Sequence, residues 1–273
     1  MKCIVTKGSI HYEIEGTGLP IVIMHSMGTD HRSMKSWLEP VFEKSEGFQR
    51  IYIDIPVHGH SSINENFKSS DDMLSNILEF IDKILPNKTF SLIGFSYGGY
   101  LAQGVLHHKR NKVKSICLLA TALHSKTRNL PNKITITKDT ELLKKLDDDS
   151  RKAFETLMIY QDIERYHLFL EEIQPGRLLA NRDFLLSNWR ENGYFLSEVP
   201  FAEIDEFSQS ASILVGKQDA ICGYKDHLKL LEKFPHGTYA VLDQAGHMLH
   251  IDQREIVQGL IQEWLVRTLS VVN

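Results

Sequence analysis

The chain has 273 residues, 42% hydrophobic and 24% charged, which suits one large globular domain or one domain carrying an insertion. A formal net charge of −4 argues against a nucleic-acid surface and against a polybasic membrane patch. Cys3, Cys117 and Cys222 are an odd, widely spaced set with no C-x-x-C pair, which argues against a disulfide framework and fits a reducing cytoplasm.

Cys3 to Thr6 and Ile10 to Ile14 read as two short strands joined by a turn at Lys7-Gly8. No apolar segment follows Lys2, so the start reads as a first strand and not as a signal peptide. No apolar run is long enough to span a bilayer, and a soluble cytoplasmic protein is expected. Pro20 to Met24 is a dense apolar run of the kind a buried parallel sheet uses. A helix near Ser33 to Glu43 and a strand over Arg50 to Ile55 follow.

Ser69 to Leu85 reads as a helix. Ser69 and Asp72 form a capping box, Met73, Ile77, Phe80, Ile81 and Ile84 share one face, and Pro86 ends it. A strand before Ser96, a helix after it and a strand over Val113 to Leu119 complete an alternation that implies a mostly parallel sheet with helices on both faces. The alternation breaks after Ala122. Helical patterning covers Glu141 to Leu146, Arg151 to Ile163, Glu164 to Ile173 and Asn181 to Arg190. A strand over Ala211 to Val215, a helix over Lys225 to Phe234, a strand over Thr238 to Leu242 and a helix over Ile251 to Leu269 return to the first pattern. The expected organisation is therefore an α/β core at 1–124 and 206–273 interrupted by a helical insertion at 125–205.

The chemistry centres on Gly94-Phe95-Ser96-Tyr97-Gly98, a G-x-S-x-G between a strand and a helix. A tight strand-to-helix turn holds a serine hydroxyl clear of the backbone, and flanking glycines avoid clashes there. Gly99 adds close helix–sheet packing. A serine hydroxyl needs a base, and the base an orienting acid. Asp219, in the loop after the strand ending at Val215, fits the acid, and His247, after the last strand, fits the base. Asp219 could instead be a turn residue. Asp243 reaches His247 only through a tight local turn, and His250 reads as a pocket-lining or helix-capping residue. With His247 as base, activity should rise with pH near 6 to 7. The oxyanion donors are expected to be the backbone N–H groups of Tyr97 and Met27. His58-Gly59-His60 has half of a dimetal pattern, but Ser61-Ser62-Ile63 follows where more ligands belong, so no metal is expected.

Taken together, these segments resemble the α/β-hydrolase superfamily in its cap-bearing serine hydrolase branch. His25 to Gly28 resembles the family's oxyanion loop, Asp54 to Ser61 its D-x-P-G-H-G-x-S segment, Gly94 to Gly98 its nucleophile elbow, Gly216 to Asp219 its acid loop, and Gly246-His247 its histidine loop. The resemblance implies an α/β-hydrolase fold, a Ser96–Asp219–His247 triad, no cofactor, and a helical cap at the position of the 125–205 insertion. Ser26 and Val57 stand where the family has glycine, and β-branched Val57 is expected to avoid positive φ. The expected activity is hydrolysis of a small or medium, largely apolar ester. Lactonase, thioesterase and carbon–carbon bond hydrolase stay open on the same triad. A non-catalytic ligand-binding protein on the same scaffold is the reading from a different class.

Overall fold

The computed structural model describes residues 1–202 and 206–270. The end of the expected insertion, at 203–205, and the last residues of the expected core, 271–273, lie outside the described residues.

β1 (Lys2–Val5) and β2 (Gly8–Glu15) form an antiparallel pair. β3 (Leu19–Met24), β4 (Phe48–Ile53), the two-residue β5 (Ser62–Ile63), β6 (Phe90–Phe95) and β7 (Val113–Leu119) follow. The order across the sheet is β1-β2-β4-β3-β6-β7-β10-β11, where β10 is Ser210–Gly216 and β11 is Gly237–Leu242, and β5 pairs with β2. From β4 to β11 every neighbouring pair is parallel. β6 is buried at every position and β3 from Pro20 onward, as strands covered on both faces must be.

The pleat sends alternate side chains to opposite faces. Val22 and Met24 of β3 enter one core with α2 (Ser70–Ile84) and α3 (Tyr97–Lys109). Ile21 and Ile23 enter a second core with α1 (Arg32–Phe42) and the last long helix, Arg254–Ser270. On α2 the Ser69–Asp72 capping box is formed, and Met73, Ile77, Phe80 and Ile81 are buried. Each such side chain contributes about 1.5–3 kcal/mol.

Between Leu119 and Ser210 the chain leaves the sheet. Among the described residues its strands there, β8 (Thr137–Lys138) and β9 (Tyr160–Gln161), pair only with each other. The expected helices break into shorter pieces. α4 (Thr140–Lys145) and α5 (Asp148–Leu157) are capped by Asp139 and Asp147, and the chain turns extended at Met158. α6 (Ile163–Leu168) runs into a π-helical turn at Phe169–Ile173 and then into α7 (Gln174–Leu179), whose Pro175 hid it from the sequence pattern. α8 (Arg182–Leu186) and α9 (Trp189–Gly193) replace one expected helix. Beyond the insertion, α10 (His227–Leu231) precedes β11, and Gln253 splits the last helix into α11 (Leu249–Asp252) and α12 (Arg254–Ser270). No helix among the described residues is long and apolar enough to cross a membrane.

Val57 corrects one expectation: it does take positive φ, at 68°. Such a conformation costs about 1–3 kcal/mol and persists only where the surroundings over-determine it. Here His58 N–H donates to the Ile55 carbonyl (3.1 Å), Asn181 N–H donates to the Val57 carbonyl (2.8 Å), and the side chain is buried. The same loop seats Asp54. Its carboxylate accepts the N–H groups of His31 and His60, each at 2.9 Å, and meets Nδ1 of His31 at 2.8 Å and of His11 at 3.0 Å. A Cβ on Gly59 would stand 2.2 Å from Asp54 Oδ2, so that glycine makes room for the carboxylate. Burial would raise the Asp54 pKa, but the His31 hydrogen bonds and the neighbouring imidazoles hold it well below the carboxylate range. Asp54→Ala is expected to cost about 3–5 kcal/mol in urea unfolding at pH 7, because it strands buried donors. With its folded pKa depressed, that contribution is present above the ordinary carboxylate pKa and disappears as pH falls through the folded one. An unchanged unfolding midpoint would show that the network contributes nothing.

Candidate active site

β6 turns into α3 through Ser96, which sits at φ 54°, ψ −116°. Three backbone hydrogen bonds hold it there: Ser96 N–H to the Leu119 carbonyl (2.8 Å), and the Ser96 carbonyl to the N–H groups of Tyr100 (3.1 Å) and Ala122 (3.0 Å). A Cβ on Gly98 would stand 2.3 Å from the His25 carbonyl oxygen and 2.5 Å from that of Met24, and a Cβ on Gly94 would stand 2.5 Å from the Gly99 Cα. Neither neighbour is a flexible side chain, so Gly98→Ala must move the turn. It is expected to cost about 1–3 kcal/mol of stability and to pull Ser96 away from His247. A variant with an unchanged melting temperature and wild-type turnover would refute the steric argument.

The structure brings Ser96, Asp219 and His247 together. His247, in the loop after β11, places Nε2 2.9 Å from Ser96 Oγ and Nδ1 2.9 Å from Asp219 Oδ2. Asp219, in the loop after β10, accepts the N–H groups of Ile221 (2.8 Å) and Cys222 (2.9 Å) on its other oxygen. Burial alone would raise the Asp219 pKa, and His247 with the two amides lowers it. Burial alone would lower the His247 pKa; the Asp219 carboxylate, aided by the Cys222 thiol, overrides that and raises it above the ordinary histidine value. The histidine loop is itself tied down, since Gly246 N–H donates to Asp252 Oδ2 at 2.8 Å. The arrangement can draw a proton from the serine hydroxyl and hold it on an imidazole facing a fixed carboxylate.

Asp243 turns outward to Gln218 and Lys217. His250 neither caps a helix by its side chain nor lines the cavity. It is buried against Trp37, with ring centroids 5.0 Å apart. The aromatic ring of Trp37 lies in the second core, so the apolar neighbours of His250, not its helix position, decide its role.

Met27 and Tyr97 both border the same cavity as Ser96. The Tyr97 N–H is the first of α3 and has no intrahelical acceptor. Among the described residues neither N–H is taken by a protein acceptor. The preceding His25 is buried and fixes the loop: its Nε2 accepts Ile55 N–H at 3.0 Å, which leaves Nδ1 to donate to the Ser26 carbonyl at 2.8 Å.

The cavity holds about 970 Å³. Leu130, Leu157, Tyr194, Phe195 and Met248 supply apolar wall, whereas Tyr166 and Phe169 stack on each other with Phe154 edge-on to both. Sequence reading missed two features of this cavity. Cys222, three residues beyond Asp219, is buried with its sulfur beside Asp219 and His247, all three donor atoms lying within 4.8 Å of one another. Lys126, Arg128, Arg177 and Arg190 also line it. No spacing marks them, and in a charged helical segment they read as solvated faces. Neither His58 nor His60 belongs to a metal-competent cluster among the described residues; the one in that region is His11, His31 and Asp54, whose donors hydrogen-bond one another.

Residues 20–163 match the family described as alpha/beta hydrolase fold. The chain is similar to (E)-2-((N-methylformamido)methylene)succinate hydrolase of Acinetobacter baylyi, at 23% identity over 94% of each chain. Among solved structures it is similar to an alpha/beta superfamily hydrolase from Oenococcus oeni, with TM-score 0.84, 27% identity, and 98% of this chain and 99% of that one covered. An esterase from Thermogutta terrifontis, solved with malate bound, shares the fold at TM-score 0.73 and 18% identity, with 98% and 99% covered.

Proposed function

The chain belongs to the α/β-hydrolase family, and on that footing we propose that it is a serine hydrolase cleaving a small or medium ester through an acyl-enzyme. The observation that supports this most is the continuous relay from Ser96 Oγ to His247 Nε2 and from His247 Nδ1 to Asp219, each step 2.9 Å. As Ser96 attacks the carbonyl carbon, its proton passes to His247 Nε2, and Asp219 stabilises the imidazolium. The negative charge that develops on the carbonyl oxygen is received by the Met27 and Tyr97 N–H groups. His247 then protonates the leaving alcohol, and a water deprotonated by the same imidazole attacks the acyl carbon, releasing the acid and restoring the serine.

In this reading residues 125–205 act as a lid over a core made of 1–124 and 206–273, and the apolar walls at Leu130, Leu157 and Phe195 accept the acyl chain. The substrate is a small molecule, and the three unpaired cysteines support a cytoplasmic location. A fluorophosphonate probe tests the reading: it should label Ser96 stoichiometrically, and a protein that stays unlabelled while folded would be a binding scaffold instead. Lactone, thioester and carbon–carbon bond cleavage use the same relay. The Acinetobacter relative, whose name makes it a hydrolase of a substituted succinate, favours including such bonds in the substrate panel.

A further inference from the structure

We infer that the substrate carries a free carboxylate away from the bond that breaks, held by Arg128 and Arg190 with Lys126 beside them. This rests on the serine-hydrolase reading for the chemistry, but on other residues for recognition.

Four cations line the cavity that holds Ser96, against one lining carboxylate, the exposed Glu191. Arg177 is already engaged, with Asp149 at 3.1 Å. Arg128 is not. It is half-buried; its Nη1 donates to the Ile221 carbonyl at 2.9 Å, its Nη2 stands 3.4 Å from the Tyr194 hydroxyl, and among the described residues no carboxylate pairs with it. Asp219 is near enough to act on it electrostatically, but both Asp219 oxygens are committed to His247 and to the Ile221 and Cys222 amides. Arg190 rests its Nη2 on the Met27 sulfur at 2.7 Å, near the proposed oxyanion loop, and among the described residues it too has no carboxylate partner. Lys126, exposed, has none either among the described residues.

Among the described residues every other half-buried arginine has a carboxylate partner, which sets Arg128 apart. Arg50 holds Glu39, Arg254 holds Glu172 and Arg267 holds Glu263. A guanidinium drawn partly out of water without a counter-charge is unfavourable, and its five donors match the planar fork of a carboxylate. Arg128 is such a group, and Arg190, exposed, lines the same cavity, whose wall also carries Leu130, Leu157 and Phe195. A ligand with an apolar stem and a terminal carboxylate satisfies both.

The test compares kcat/KM for p-nitrophenyl hemisuccinate and p-nitrophenyl butyrate, which share a leaving group and a similar length. The hemisuccinate should be preferred by about tenfold or more, the worth of one charge-assisted contact, and the preference should shrink with added salt. Arg128→Gln and Arg190→Gln should each reduce it. Equal or reversed preference in the wild-type protein overturns the inference. Because an arginine variant can disturb folding, calorimetric titration of the wild-type protein with succinate, succinamide and inorganic phosphate supplies an independent measure. Succinate should bind most tightly; parity with succinamide, or tighter binding of phosphate, overturns the inference. Ser96→Ala separates the two readings. If it abolishes turnover of both esters yet still binds succinate, both stand, and if turnover survives, the nucleophile assignment fails while succinate binding still judges the arginines.

Discussion

Ser96→Ala should lower kcat for p-nitrophenyl butyrate by about 10⁴-fold or more, leaving the unfolding midpoint within about 1 kcal/mol of wild type. The size of the first effect follows from the proposed mechanism, in which no acyl-enzyme forms without Oγ and the remaining rate comes from water positioned by the proposed oxyanion donors. The smallness of the second follows from where the turn's stability resides. The bonds that hold Ser96 at φ 54° run through its backbone N–H and carbonyl to Leu119, Tyr100 and Ala122, and alanine keeps all of them. Turnover within about tenfold of wild type would contradict the assignment, and Cys222, whose thiol borders the same cavity, would become the next nucleophile to test.

The second large effect belongs to Asp219→Asn, which should lower kcat/KM by about 10⁴-fold near neutral pH. The amide keeps the shape of the carboxylate but not its charge, so Nδ1 of His247 no longer faces an anion and its tautomer is no longer fixed. The pH profile carries a signature that a folding defect does not. In the wild-type protein Asp219 raises the His247 pKa, so the free base appears only as pH rises past a midpoint above the ordinary value of 6.5. That moves the acid limb upward from the pH 6 to 7 that sequence alone suggests. In the variant, burial acts on the imidazole without the carboxylate's opposition, only Cys222 still countering it, and the midpoint should move to lower pH. A midpoint that rises or stays fixed would mean that Asp219 does not govern the titration of His247.

The sheet was legible because each parallel strand is a dense apolar run, as in Pro20 to Met24 and Val113 to Leu119, and α2 because its cap and its apolar face agree. The three relay residues were legible because each follows a strand, where the sheet delivers loops to one rim. Other parts of the site depend on neighbours that sequence order does not reveal. His250 lies three residues from His247 but is turned onto Trp37, more than two hundred residues earlier in the chain. Val57 adopts a backbone its own side chain disfavours because Asn181, across the fold, donates to its carbonyl. In the insertion the helices are short and end at side-chain caps such as Asp139, Asp147 and Asn181, so an average over ten residues merges them. Arg128 and Arg190 stood out only when the absence of any carboxylate beside them, among the described residues, could be seen.

The strand that presents Ser96 lies in the middle of the sheet, whereas the strands that lead to Asp219 and His247 are its last two, laid down beyond residue 209. During translation the serine therefore emerges long before its acid and base. A ribosome-bound chain can fold its first strands and still expose only an ordinary, unreactive alcohol. On the proposed mechanism, chemical competence waits until β10 docks against β7 and β11 against β10, and a truncated product ending before them would be inert rather than partly active.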